Sequence, residues 1–385
     1  MNNHTISSQY DFAIIGMGAS GFHLAMAMLE DPFFDSKKIL LLDENLKNTN
    51  DRTWSFWEKG IGKWDNILSK QWAEFEIQSH DFHKIFDLGD YRYKMIKSLN
   101  FYEYCLHKLS QKSNFTIKYE GIKKIEEKVK CVYLHTVKSI FQASYVFSSL
   151  PDSTIIMGNH PSLQQHFGGW FIKVKEPVFR KAQVQFMNFN IPQNNSTQFM
   201  YVLPFNDHEA LMEFTIFSKQ VYKRNDYETF LKEFLNNSKI VDYTITEKEF
   251  GAIPMTTYPF WQKNTERKML IGSAGGWTKP STGYTFYFCQ QQAERLTNFL
   301  KTNTNLSTFK IFNRFYWYDL ILLKVLTKYN ELGSEIFSSM FRKNKIKNIL
   351  RFLSNESTIW EEISIISRTK HRSLFFKAFI NSLLK

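Results

Sequence analysis

A short apolar run, Asp11-Phe-Ala-Ile-Ile15, opens into Gly16-Met-Gly18-Ala19-Ser-Gly21. Helical spacing through Leu24, Met28 and Leu29 follows, and then a second apolar run, Lys38-Ile-Leu-Leu-Leu42, ends at Asp43. This order predicts a strand, a tight turn, a helix and a parallel strand, the unit that opens a Rossmann-type α/β sheet. Gly16 allows the tight turn, Gly18 lets a pyrophosphate approach the backbone, and Gly21 lets the helix pack closely on its strand. Ala19 starts the helix, whose N-terminal amides and positive dipole end would face the phosphates. An acid that closes the second strand can bond ribose hydroxyls, which nominates Asp43, with the adjacent Glu44 as second choice.

A second glycine-rich turn runs Gly272-Ser273-Ala-Gly275-Gly276-Trp-Thr-Lys-Pro280-Ser-Thr-Gly283-Tyr284. A short buried run at 269–273 leads into it, and a helix is predicted after it over roughly 282–301. Between the two turns, residues 170–260 alternate apolar and polar positions. Gln183–Met187, Phe199–Leu203 and Ala210–Phe217 are predicted strands of an antiparallel sheet. Two glycine-rich turns flanking a sheet-rich insert favour FAD over NAD as resident cofactor. Ser273, Gly275, Gly276, Pro280 and Gly283 then join Gly16, Gly18, Ala19, Gly21 and Asp43 as binding residues. The arrangement resembles the glutathione-reductase-type flavoproteins, the aromatic-hydroxylase branch in particular. That resemblance implies a second helix aimed at the flavin ring. The branch usually carries Asp where this chain has Ser273, which leaves the ribityl contact to Ser273 or a backbone group.

The chain has 385 residues, 17% of them aromatic, and a net charge of +12. So many buried rings exclude disorder, and the length serves two to three domains. A discontinuous FAD-binding domain (1–160 with 262–305), an antiparallel substrate domain (161–261) and a C-terminal helical region (306–385) are expected. Cys105, Cys131 and Cys289 offer neither a disulfide framework nor a metal site. Neither a signal peptide nor a spanning helix is expected, which places the chain on the cytoplasmic side. From residue 311 onward, 13 Lys and Arg stand against 6 Asp and Glu, so +7 of the +12 lies among aromatic patches such as Phe315–Tyr318. Basic helices of this kind serve either as a peripheral membrane lid or as a plain cap on the core. Nucleic-acid binding is disfavoured, because the basic residues follow helix faces without a reading module.

The segment Asn50-Asp51-Arg52-Thr-Trp54-Ser-Phe56-Trp57-Glu58 resembles the Asn-Asp-Arg-Thr-Trp-x-Phe-Trp signature of bacterial lycopene β-cyclases. Further similar segments follow in family order: Gln165-His166-Phe-Gly-Gly-Trp170, Tyr201–Phe205 with Ala210–Thr215, Gly251–Phe260, and the run from Gly275 to Tyr284. The resemblance implies an isomerase in which a linear ψ-end of lycopene is protonated, closes a six-membered ring and loses a proton. Reduced FAD would assist without net redox change, with NAD(P)H as reductant. Glu213 inherits the acid role, because a Glu buried against an apolar substrate stays protonated near neutrality. Trp54, Phe56 and Trp57 would offer ring faces to the cation if their loop lines the cavity. Asp51 and Arg52 either contact the flavin or form a structural ion pair. Two positions depart from the family pattern, with Phe214 in place of a second Glu and Asn188 in place of Asp. A flavin-dependent monooxygenase or reductase acting on an isoprenoid is the rival reading. It would consume NAD(P)H in proportion to product.

Overall fold

The computed structural model describes residues 6–152, 155, 157, 158 and 160–383. Strand Ile6–Ile15 lies parallel to Ile39–Asp43 on one side and to Ile140–Ser148 on the other. Phe115–Tyr119 and Lys268–Leu270 extend the parallel part outward, and Val132–Thr136 and Ile122–Glu127 close one edge antiparallel. Ile39 to Leu42 are all buried, as expected of a parallel strand covered on both faces. The strand order reverses at Ile6–Ile15, so its carboxyl end borders the crevice where doubly wound sheets hold ligands.

A second sheet runs, in spatial order, Tyr243–Thr256, Ser162–Val174, Glu209–Ser218, Thr197–Pro204, Gln183–Asn188, Glu74–Ser79 and Phe82–Asp87. Its first five strands form the antiparallel insert read from alternation. The last two come from within the 1–160 segment and join through a parallel pairing of Glu74–Ser79 with Gln183–Asn188. The sheet therefore draws on chain from both sides of the expected boundary at 160.

Residues 51–58, expected as a loop, mostly belong to a strand, Thr53–Lys59, paired with Tyr91–Lys97 in a small third sheet. Strand alternation explains the consequence. Trp54 and Phe56 pack with Phe101 and Phe286 under the first sheet, while Trp57 joins Phe75, Tyr93 and Phe186 against the second.

Helix Arg224–Asn237 covers the far face of the second sheet, burying Tyr227, Leu231 and Leu235 against Trp170, Met212 and Phe214. Helices from Arg314 to Leu383 cover the near face, where Leu323, Phe337 and Leu350 share a core with Phe75 and Phe217. Lys279 of the second glycine-rich turn pins this layer: its Nζ lies 2.7 Å from Asp319 Oδ1, and both side chains are buried. No helix among the described residues is long and apolar enough to cross a membrane.

Candidate active site

The two glycine-rich turns meet at the crevice. A Cβ on Gly16 would come within 2.0 Å of Ser149 Oγ, and one on Gly21 within 1.9 Å of the Gly16 carbonyl. A Cβ on Gly18 would touch nothing within 4 Å, so of these three glycines the one assigned to the pyrophosphate has open space over it. The helix that follows, Ala19–Leu29, has no side-chain cap on its first amides, which leaves them free for an anion. Gly272, in the left-handed region at φ +62°, packs against Ser20, so the second turn sits directly beside the first. Gly275 has no room for a side chain, since its Cβ would lie 2.1 Å from the Leu270 carbonyl.

Asp43 Oδ2 accepts the Met17 amide at 2.7 Å and Oδ1 the Asn45 amide at 2.9 Å, with Lys47 3.1 Å away. The acid is thus fixed at the turn, with Oδ2 shared by Met17 and Lys47, and Oδ1 retains a lone pair for a ribose hydroxyl. Ser273 Oγ bonds Thr278 Oγ1 at 3.0 Å, and Thr278 bonds Thr285 at the same distance. The helix after this turn begins at Phe286, later than expected, because Gly283 adopts φ +72° and its amide closes onto the Lys279 carbonyl. Pro280 lies inside that closed turn, half-buried.

The chemistry-bearing groups line up across the near face of the second sheet. Gly169 is flanked in register by Glu213 on one neighbouring strand and Glu249 on the other, and Glu213 is flanked in turn by Tyr201. Laterally paired residues point to the same face, so Glu249, Glu213 and Tyr201 form one row. Alternation sends Met212 and Phe214 to the opposite face. Tyr201 and Tyr284 both bond Tyr93, at 2.5 and 3.0 Å between hydroxyls, and Tyr284 follows directly on Gly283 of the cofactor turn. Trp57 packs edge-on to Tyr284 at 4.6 Å and donates its indole N–H to Ser354 at 2.7 Å. The row therefore runs from the edge of the sheet to the second glycine-rich turn.

Burial pushes Glu213 up to about 8, the nearby Glu249 adds like-charge repulsion, and a 2.6 Å hydrogen bond from Thr215 offsets part of the rise. Glu249 is pushed up to about 7, again mainly by burial, with Glu247 adding to the rise and Thr53, Lys97 and Arg52 opposing it. Tyr93, Tyr201 and Tyr284 are all held well above their ordinary range by burial. Burial thus favours the neutral carboxyl of Glu213 beside the neutral phenol of Tyr201.

The other nominated residues separate. Asp51 Oδ1 accepts from Ser98 at 3.0 Å and Tyr102 at 2.9 Å, holding the start of the helix Ser98–Ser110. Arg52 donates to the Asp51 carbonyl at 2.6 Å, and its exposed guanidinium lies on the wall of a polar cleft of about 520 Å³. No Asp51–Arg52 ion pair forms among the described residues. Trp54, tilted against Phe286 at 5.2 Å between ring centroids, packs with the core under the first sheet. Phe214 lies 4.4 Å from Phe230 on the far face. Asn188, paired with Met200 on that far face, caps the Asn190 amide at 2.9 Å. His166 is a satisfied core residue, bonded to Tyr227 and Ser218. All three cysteines are buried and free. Glu249, Tyr93, Tyr201 and Tyr284 were absent from the nominated catalytic set.

Similarity to known proteins agrees with this geometry. A geranylgeranyl bacteriochlorophyll reductase-like protein from Thermoplasma acidophilum superposes with a TM-score of 0.60 at 10% identity, over 96% of this chain and 98% of its own. A flavoprotein/dehydrogenase from Cytophaga hutchinsonii gives 0.63 at 10% identity, over 97% and 100%. The flavin-dependent brominase Bmp2 gives 0.61 at 11% identity, over 98% and 100%. At these identities the likeness establishes the fold. No curated protein sequence matches the chain. The family described as lycopene cyclase protein matches residues 11–378, nearly the whole chain, and this protein belongs to the lycopene cyclase family.

Proposed function

We propose that this protein is an FAD-dependent lycopene β-cyclase that converts lycopene to β-carotene through γ-carotene, with no net redox change. The single observation that carries the reading is the buried Glu213, held up to about 8 within a row of phenols and indole. An alkene is a very weak base, so its protonation needs an acid that is still protonated at neutral pH and shielded from water. Glu213 supplies the proton to the ψ-end double bond: its O–H bond breaks as a C–H bond forms. The tertiary cation then closes on the neighbouring alkene, and a ring C–H bond breaks, its electron pair becoming the ring double bond and its proton passing to a carboxylate or water base. Trp57, Tyr93 and Tyr284 present ring faces that stabilise positive charge without quenching it as water would.

The fit of the crevice to FAD rests on the open space over Gly18, the uncapped amides at Ala19, and the abutting second turn. Gly16, Gly18, Ala19, Gly21 and Asp43 would hold the ADP half, and Ser273, Gly275, Gly276, Pro280 and Gly283 the flavin half. When reduced by NAD(P)H, the flavin supplies an electron-rich, anionic surface that favours a nearby cation. Peripheral docking on the cytoplasmic face of an anionic membrane completes the reading. Ile359, Trp360 (80% exposed), Ile363 and Phe376 project from the last two helices beside Arg368, Arg372 and Lys377.

Expression in a bacterial host that accumulates lycopene, with pigments resolved by chromatography, tests this directly. Monocyclic and bicyclic products with deuterium from heavy water in the new ring are expected. Unchanged lycopene beside folded, flavin-bound protein overturns the proposal. Consumption of NAD(P)H in proportion to an oxygenated or reduced product assigns the rival monooxygenase or reductase activity instead.

A further inference from the structure

Glu249 has no place in the reaction as just described, yet its surroundings are those of a working group. It shares with Glu213 the one residue between them, Gly169. A Cβ there would stand 3.1 Å from Leu211 Cδ1, 3.2 Å from Glu249 Cγ and 3.5 Å from Glu213 Cβ, so both glutamate side chains converge over the glycine, packed with Leu211. The two strands are separated by two inter-strand spacings, about 10 Å. That is too far for direct contact between backbones but within reach of two glutamate side chains. The hydroxyl of Thr53 lies beside Glu249 and opposes its rise.

On its other side Glu249 lines the 520 Å³ polar cleft, together with Asn50, Arg52, Glu247, Lys248 and Arg224. Most charges around that cleft are engaged. Glu247 pairs with Lys97 at 3.0 Å and accepts from Asn50 at 2.9 Å, and Lys248 pairs with Glu228 at 2.7 Å. Among the described residues Glu249 forms no ion pair of its own, although Arg52 and Lys97 lie close enough to oppose its rise.

We infer that Glu249 is a proton-relay residue, connecting the solvent-facing cleft to Glu213 where the two side chains converge over Gly169. This rests on the reading of Glu213 as the acid. After Glu213 has given its proton to substrate, its carboxylate is refilled by a proton passed from the Glu249 carboxyl. The O–H bond on Glu249 breaks as that on Glu213 forms, and water in the cleft then restores the proton on Glu249. Like-charge proximity supports the exchange, because two neighbouring buried carboxylates cannot both ionise cheaply and so share protons.

The test has two arms on the full-length, flavin-loaded protein. In the first, infrared titration follows the protonated carboxyl bands, assigned with Glu213→Gln and Glu249→Gln. A shared proton predicts that Glu249→Gln moves the Glu213 midpoint down by about one pH unit or more. An unmoved midpoint overturns the relay, whatever the substrate proves to be. In the second arm, Glu249→Gln should keep the single-turnover rate on lycopene while steady-state turnover falls about tenfold or more, with Glu249→Asp restoring part of it. Equal losses in both rates overturn the relay and assign Glu249 to the chemical step or to structure. Thermal melting of each variant separates misfolding from either result. If the wild-type protein makes no cyclised product, the proposed function fails, and the infrared midpoint alone decides whether the two glutamates are coupled.

Discussion

Two sets of buried charges in this protein are treated in opposite ways. At the second glycine-rich turn, Lys279 meets Asp319 at 2.7 and 2.9 Å, and at the third sheet Lys94 holds both Glu58 and Asp65. Each buried charge there has an opposite partner. Across Gly169, two glutamates converge with no ion pair to either among the described residues, and one is held to about 8 and the other to about 7. A compensated pair serves as a fastener. An uncompensated pair is poised to exchange protons. The difference separates positions that hold the molecule together from positions that can do acid chemistry.

Four experiments press on that contrast, beginning with the largest effect. Glu213→Gln should lower cyclisation by about 10²–10⁴-fold, as measured from pigments in the lycopene-accumulating host, without lowering the melting temperature. Retained cyclisation would transfer the acid role elsewhere. Asp319→Ala, which strands Lys279 in the interior, should cost about 3–5 kcal/mol in denaturant unfolding. The double replacement Lys279→Met with Asp319→Leu should recover most of that loss, marking the pair as a fastener. A small penalty from the single variant would erase the distinction between the two sets.

The third experiment concerns pH. A carboxyl raised from an ordinary unfolded value near 4.5 to about 8 binds more protons in the folded state than in the unfolded state between those values. Its contribution is therefore fully present below about 4.5 and is lost as pH rises through about 8. Glu213→Gln should gain stability relative to wild type across that window, by a few kcal/mol at its upper end, in melts recorded at stepped pH. Wild-type activity should fall over the same alkaline limb as the acid ionises. The smallest effect is expected from Tyr284→Phe, which removes the 3.0 Å bond to Tyr93 and should cost about 1 kcal/mol with a few-fold slower turnover. A loss as large as that of Glu213→Gln would make Tyr284 a proton donor in its own right.

The cofactor crevice was largely legible in the sequence because glycine spacing encodes backbone geometry locally: Gly16, Gly21 and Gly275 are each pressed against backbone or side chain in the way their positions required. The burial of Glu213 was legible because it stands between Met212 and Phe214, an unusual setting for a charge. Glu249 was not. It lies in Thr246-Glu-Lys-Glu249, whose alternating charges read as a solvated strand, and only the pairing of Ser162–Val174 with both neighbours carries it to Gly169. The tyrosines were missed for the same reason, since Tyr93, Tyr201 and Tyr284 are brought together across 108 and 191 residues of chain. The aromatic signature at 54–57 was seen as a unit, whereas strand alternation gives Trp54 and Trp57 to different cores.

The parallel pairing of Glu74–Ser79 with Gln183–Asn188 carries a consequence for how the chain folds. Parallel neighbours cannot be joined by a tight turn, and about a hundred residues must be looped out before these two strands meet. The sheet that bears Glu213 is therefore completed late, after the first glycine-rich unit has formed from local contacts. A fragment containing only residues 161–261 lacks Glu74–Ser79 and Phe82–Asp87 and would expose Gln183–Asn188 as an open template for self-association. The sheet that bears Glu213 thus cannot be separated from the chain before residue 160 by cutting at the boundary its sequence suggests.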